Sequence, residues 1–568
     1  MGDRERTTTD LSPVFDASST YVESLAVLDP YWATFQGVGG HEAKTPKFSP
    51  EGLGEVADLN RRTLARVSKL DTQSENDRIA RDVLSNHLSV ELSAYDAGDW
   101  QSDLNIVASP LQSFCDVFDL MASDTVAAWE ARRDRLKALP TAIDEYRRTL
   151  TLGISNGRVV AKRQAVECAR QCAVRGRRFA NDLTFGRGSI PTSLLADLDQ
   201  AASAAGSAYL AFGVWLSHDY RNAAREDDGV GTERYVREAS KYLGMTIEPL
   251  ETYFWGLEQI KEIRAHMNMM AAEVDGSLNL RQVVDLLDHD PNYAIQSPEG
   301  MIDFLQCHMN SMLETLNGTH FNIDPRARTI EQMIAPDGGG AAQCYTAPSE
   351  DWSRPGRCWY PIGDRTSFPV WGEITTANHE GVPGHHLQIA ASMAASDRLS
   401  RFQRLYFSSG HGEGWALYAE RLCFELDLLG KPEFVLGWLN GQLLRAVRVV
   451  IDIGMHCGEE LNIGVPFDSP VAAGMSWNAN TGLAYARHYL GDGFDMQSEI
   501  NRYLGWPGQA ISYKVGEREW LGARKDVKSA LGPTFDLKRF HTVALDLGAM
   551  GLAQLRTEIV RALTSPAT

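Results

Sequence analysis

Apolar residues return every three or four positions along most of this chain, which is the spacing of one helix face after another. Val22, Leu25, Ala26 and Leu28 open the series just after Tyr21, until Pro30 interrupts it. Residues 1–18 ahead of it read as a flexible leader. A loop rich in Gly and Lys runs from Gly37 to Gly52, and Ser49-Pro50-Glu51 within it has the composition of a helix start. Periodicity continues through Asn60–Leu70 and Asp77–Tyr95. Residues 124–151 predict a long amphipathic helix with a break at Pro140. Residues 158–184 predict another, whose Arg-rich polar face reads as solvated. The Ala-rich stretch 191–217 suits burial between helices. Asp227-Asp228-Gly229-Val230-Gly231 marks a turn, and helices are expected across 233–275, 278–288 and 297–316.

The texture changes over 318–372. Pro325, Pro336, Pro348, Pro355, Pro361 and Pro369 fall there, with a Gly338-Gly339-Gly340 run. Gln343-Cys344-Tyr345 and Cys358-Trp359-Tyr360 read as short extended pieces flanking the turn-like Ser353-Arg354-Pro355-Gly356. Helical patterns return at 373–395, 411–429, 433–457, 468–490, 494–505, 507–531 and 536–562. There is no repeat at a fixed period. The pattern predicts a mostly-α protein with a helical N-terminal lobe over 19–317. A second part, 318–568, carries the small β element and the candidate chemistry.

Composition narrows the partners. The 568 residues carry a formal net charge of -19, which disfavours nucleic acid and anionic membranes. No run of eighteen apolar residues suggests a membrane span. The N-terminus is polar and gives no secretory signal. The eight cysteines form no Cys-x-x-Cys pair, and Cys168 and Cys172, four apart, read as buried thiols on one helix. A reducing, cytoplasmic location is therefore expected.

The chemistry gathers in His379-Glu380-Gly381-Val382-Pro383-Gly384-His385-His386-Leu387-Gln388 and in Gly410-His411-Gly412-Glu413-Gly414-Trp415-Ala416. A catalytic zinc takes three His or carboxylate ligands and keeps one position open. In His-Glu-x-x-His helices two ligands lie one turn apart, with the Glu as base. Here the residue four after His379 is Pro383. Six residues of unbroken helix rise about 9 Å, too far for one metal with bonds near 2 Å. A bulge or kink at 382–384 is expected to shorten that reach. Both His385 and His386 then compete for the second position. Glu420 and Glu425, further along the Glu413 stretch, read as ordinary helical carboxylates, although Glu420 shares the face of Glu413.

These residues resemble known elements. Gly384-His385-x-Leu387 is similar to the end of the zinc motif in thimet-type oligopeptidases and Taq-type carboxypeptidases, which favours His385 as the ligand. Glu413-Gly414-Trp415-Ala416 resembles the Glu-Gly-Phe-Ala element whose Glu binds zinc in gluzincin aminopeptidases. Over its whole length the chain resembles the bacterial family known as domain of unknown function 885, placed in the zincin metallopeptidase clan. The matching stretches are His379 to Gln388, Gly412 to Tyr418, Arg448 to His456, Pro507 to Gly516, Phe535 to His541 and Asp29 to Thr34. The chain departs from the family at Glu459, where a Trp usually follows the Gly.

The resemblance implies a large helical, oligopeptidase-like body with an enclosed channel. It implies one Zn²⁺ held by His379, His385 and Glu413, with Glu380 as general base. Tyr513 and His456 become candidates to face the substrate carbonyl oxygen. His386, Arg448, Arg502 and Lys514 become candidates to touch substrate. The implied activity is hydrolysis of short peptides or small amides, without nucleic-acid or membrane partners. An amide hydrolase acting on a small non-peptide metabolite, and a non-catalytic binding protein on the same fold, are the alternatives.

Overall fold

The long amphipathic pattern at 124–151 folds as the helix Val126–Ser155 in the computed structural model, which describes residues 12–182, 190, 192–335, 343–349, 352–470, 472–491 and 495–565. The helix starts on Thr125, whose Oγ1 accepts the Ala128 N–H at 3.1 Å. Pro140 lies inside it without the expected break. Leu136, Leu139, Ala142 and Ile143 on either side are buried, so tertiary packing carries the helix across the missing donor.

Helix accounts for 69% of the chain and strand for 4%, which makes the body all-helical in class. Other boundaries move for local reasons. Residues 12–18, expected in the leader, join a helix Pro13–Leu28 that is capped by Ser12 and buries Val14 and Ala17. Residues 1–11 and the Gly338-Gly339-Gly340 run lie outside the described residues. The pattern at 233–275 divides into Thr232–Leu243 and Pro249–Val274. Gly244 ends the first in the left-handed region at φ +61, and Pro249 opens the second.

Two apolar clusters hold the body together. One is built by helices Pro110–Asp119, Val126–Ser155, Lys162–Asp182 and Thr192–Trp215. It contains Phe114, Tyr146, Tyr209 and the buried thiols Cys115, Cys168 and Cys172. The larger cluster gathers helices from both ends of the chain around Pro432–Cys457. That helix is long and apolar enough to cross a membrane by length and composition only, and most of it is buried. It packs instead against Pro249–Val274 and buries Leu443, Val447, Val450 and Ile451.

The expected extended pieces pair antiparallel as Cys344–Thr346 and Gly356–Tyr360, with Tyr345 opposite Cys358. A parallel strand, Ile330–Ile334, lies on the other side of Gly356–Tyr360. A parallel partner needs no hairpin, so its sequence carried no turn signal. This small sheet stands beside the helices of the candidate centre, since the Tyr345 hydroxyl donates to His386 Nδ1 at 2.8 Å.

Candidate metal centre

The pattern at 373–395 becomes two helices, Glu373–Glu380 and His385–Ala394. His379 and Glu380 form the last turn of the first, and His385 is the first residue of the second. Between them the chain folds back on itself. The Gly384 N–H donates to Asn378 O at 3.0 Å, and the His386 N–H to Gly381 O at 3.1 Å. A Cβ on Gly384 would lie 2.0 Å from His379 O and 2.4 Å from Asn378 O, so only glycine permits this approach. The expected kink is thus a full break. It brings the His379 and His385 rings to 4.8 Å, centroid to centroid, at 85°.

Glu413 arrives on the helix Ser409–Glu425. Gly414 next to it meets Gly516 of the helix Ser512–Leu531, where a Cβ would stand 2.4 Å from the Gly516 carbonyl carbon. This close crossing packs the helix that carries Tyr513 against the helix that carries Glu413. Glu413 Oε2 is 3.2 Å from His379 Nε2 and 3.4 Å from His385 Nε2. One ligand atom from each of the three residues falls within 4.8 Å of the others. A tetrahedral zinc with bonds of 2.0–2.1 Å has donor–donor edges of about 3.3–3.4 Å. Two of the three donor separations, those on Glu413 Oε2, match that edge, and the donor types suit zinc.

The ionisable groups of this cluster are strongly coupled to one another. Burial alone would lower His379, but hydrogen bonds with Glu413 and Glu420 carry it up to about 9. Glu413, against its burial, is held well below the usual carboxylate range by His385 and His379. Burial pushes Glu380 upward, with His379 and His385 opposing. His379 Nδ1 donates to Glu420 Oε1 at 2.8 Å, which leaves Nε2 facing Glu413. Glu420 Oε2 accepts the Thr375 hydroxyl at 2.7 Å. Glu420, read from sequence as an ordinary carboxylate, is thus the group that orients a candidate ligand. Its place two turns after Glu413 was the available signal. Trp415 is fully buried and donates from Nε1 to Pro383 O at 2.9 Å and Gly384 O at 3.2 Å, pinning the break.

A family model for "Bacterial protein of unknown function (DUF885)" matches residues 30–559. The chain belongs to this DUF885 family. No curated protein matches it. It is similar to a solved structure described as "the putative lipoprotein from Colwellia psychrerythraea", with 22% identity and a TM-score of 0.82. That likeness covers 98% of this chain and 100% of the other. A structure described as "a putative lipoprotein of unknown function from Shewanella oneidensis" is similar at 16% identity and a TM-score of 0.73, covering 97% and 100%. These two share the fold of this DUF885 chain.

The other residues singled out in sequence are placed as follows. His386 is fully buried with both ring nitrogens engaged. Nδ1 accepts from Tyr345 and Nε2 donates to Ala327 O at 2.7 Å. Burial lowers it to about 4, so it stays neutral, offers no free lone pair to a metal and supports the sheet rather than the substrate. The Tyr513 ring stacks on His379 at 6.3 Å. Among the described residues no hydrogen bond engages its hydroxyl. His456 turns away: Nε2 donates to Tyr503 O at 3.0 Å, and its ring stacks on Tyr235. Arg448 pairs with Glu499 at 2.8 Å and Tyr503 at 2.9 Å. Arg502 pairs with Glu499 at 3.0 Å and with Gln509. Lys514 is buried between Glu517, at 2.6 Å, and Gln442. These three cations are committed to partners within the fold. His411 is buried and bound to Gln388 at 2.8 Å. A cavity of about 390 Å³ lies elsewhere, lined by Asp99, Arg234, Glu238 and Lys241, and none of the His379 cluster lines it. Donor geometry, not cavity size, locates the centre.

Proposed function

We propose that the chain is a zinc-dependent hydrolase with the metal at His379, His385 and Glu413, acting as a metallopeptidase on short peptides. The observation that carries this reading is the pair of separations on Glu413 Oε2, 3.2 and 3.4 Å, which match the edges of a zinc tetrahedron. A zinc ion bound there supplies a Lewis acid and brings the pKa of a water molecule towards neutrality.

The protein groups divide the remaining work. Glu420 holds the Nδ1 proton of His379 and so fixes the tautomer that presents Nε2. Glu380 adjoins a ligand and is buried, and that burial raises its proton affinity. A carboxylate tuned upward in this way can take a proton from the attacking water and return it to the leaving amine. The Tyr513 hydroxyl, beside His379, is available to donate to negative charge growing on the substrate carbonyl oxygen.

Glu380→Gln tests the reading. Chelator-sensitive cleavage of a short-peptide library should fall by about 10²–10⁴-fold, the usual share of acid–base catalysis. Zinc by elemental analysis should stay stoichiometric. Full turnover in this variant would remove Glu380 as the base. His379→Ala should empty the site, and unchanged zinc content would remove His379 as a ligand.

A further inference from the structure

Beside the centre the fold leaves one cation largely uncommitted. Arg445 lies on the helix Pro432–Cys457, and its guanidinium stands 5.9 Å from the centroid of the Tyr513 ring. The same ring stacks on His379. Arg445 Nη2 is 3.9 Å from Glu420 Oε1, the oxygen that accepts from His379. Among the described residues its one hydrogen bond runs from Nη1 to Gly441 O, at 3.1 Å. Its Nε is buried without a partner.

A guanidinium offers five N–H donors in a planar fork. Arg448, Arg502 and Lys514 each have a carboxylate within 3.0 Å, and Arg445 does not. At 3.9 Å the Glu420 oxygen is beyond hydrogen-bond reach, and both Glu420 oxygens already accept other donors. The side chain is 15% exposed, so part of the fork is open to solvent. Gly441 leaves the head group room, since a Cβ there would stand 3.0 Å from Nη1. A single unspent guanidinium suits a monoanion. A dianion would also face Glu380 and Glu420.

We propose that Arg445 receives a carboxylate of the substrate, so that the site acts on short peptides bearing a free carboxyl group beside the scissile amide. This rests on the hydrolase reading above and gives it a substrate class, cleavage at the carboxy-terminal end. The interaction is a charge-assisted hydrogen-bonded pair in a site shielded from water, which is where such pairs discriminate most. A substrate whose terminal carboxyl is amidated leaves the guanidinium unpaired.

The experiment uses the zinc-loaded full chain and matched acid and amide forms of acetyl-Ala-Phe. In parallel, calorimetry measures binding of N-acetylphenylalanine and of its amide, independently of turnover. The wild type should favour the acid form at least tenfold in kcat/KM, through KM, and should bind the acid probe at least tenfold tighter. Arg445→Ala should abolish both preferences with zinc retained, and Arg445→Lys should restore part of them. A wild type that binds acid and amide alike, or an Arg445→Ala variant that keeps the preference, overturns the proposal. So does loss of zinc in Arg445→Ala, because the residue would then be a support for Glu420. If neither peptide is cleaved but the binding preference exists and vanishes in Arg445→Ala, the carboxylate site stands and the peptidase reading falls.

Discussion

Around Phe114 the fold is mainly aromatic. Its ring packs edge-on against Phe48, Tyr146 and Tyr209, with centroids 4.8 to 6.2 Å away. Arg135, buried nearby, spends Nε and Nη2 on the carbonyls of Pro30, His41 and Lys44 and on Thr34 Oγ1, while its Nη1 is buried without a partner. Around His379 the fold is as dry but full of charge: Glu380, Glu413, Glu420, Lys514 and Glu517 lie within the same group of packed helices. A buried charge is costly unless paired. The charged region meets that demand by reciprocal pairing, Lys514 with Glu517 and His379 with Glu413 and Glu420. The groups left over are informative. Arg445 has its nearest carboxylate, Glu420, at 3.9 Å, beyond hydrogen-bond reach, and Tyr513 lacks a hydrogen-bonded partner among the described residues. Both border His379, where an incoming molecule would complete the pairing.

If the two regions are energetically separate, damage to one should spare the other. Phe114→Ala should cost about 3–5 kcal/mol, read by denaturant unfolding, while the folded fraction keeps its zinc affinity. A parallel fall in metal affinity would break the separation. The charged region should also respond to acid. His541 is neutral in the fold, lowered to about 3 by burial, with Tyr418 donating to its Nε2 at 2.8 Å. The unfolded chain takes up that proton near pH 6.5, so stability should fall as pH drops from about 6.5 towards 3. His541→Phe should flatten the slope by up to about 1.4 kcal/mol per pH unit in that window. Asp103 and Asp452, raised by burial to about 6 and about 7, act with the opposite sign and lose stability as pH climbs. Glu420→Gln should weaken zinc binding by about 10–100-fold in a chelator competition, with the helices intact by circular dichroism. Trp415→Phe keeps the ring and loses the donor to Pro383 and Gly384. Its expected cost is about 1 kcal/mol, and it should appear in zinc affinity more than in unfolding midpoint.

The helices were legible in sequence because each buries one face, and that repeats locally. Val126–Ser155 and Pro298–Leu316 fall close to where the periodicity placed them. Breaks were less legible. Pro140 is spanned because neighbours on both sides are buried, while Pro383 sits in a break that needs two flanking glycines as well. Within the centre, His379 could be read from residue type and spacing, and Glu413 from the resemblance of its stretch to a known zinc-binding element. The resemblance of Gly384-His385-x-Leu387 already favoured His385 over His386, and the partners that engage His386, Ala327 and Tyr345, are long-range contacts that no local pattern reveals. Lys514 and Arg502 pair with Glu517 and Glu499, three residues away on their own helices, a local spacing that sequence does carry, whereas Arg448 reaches Glu499 on another helix. The lack of a local pattern also hid Arg445, which is distinguished by what it lacks.

Gly384 has a practical use beyond this molecule. A methyl group at that position would collide with the backbone oxygen of the residue that supplies the first imidazole. The side chain of 384 therefore reports on the neighbours of 384. A related sequence that keeps both histidines but carries alanine there can be sorted, before any assay, among chains that have given up the centre.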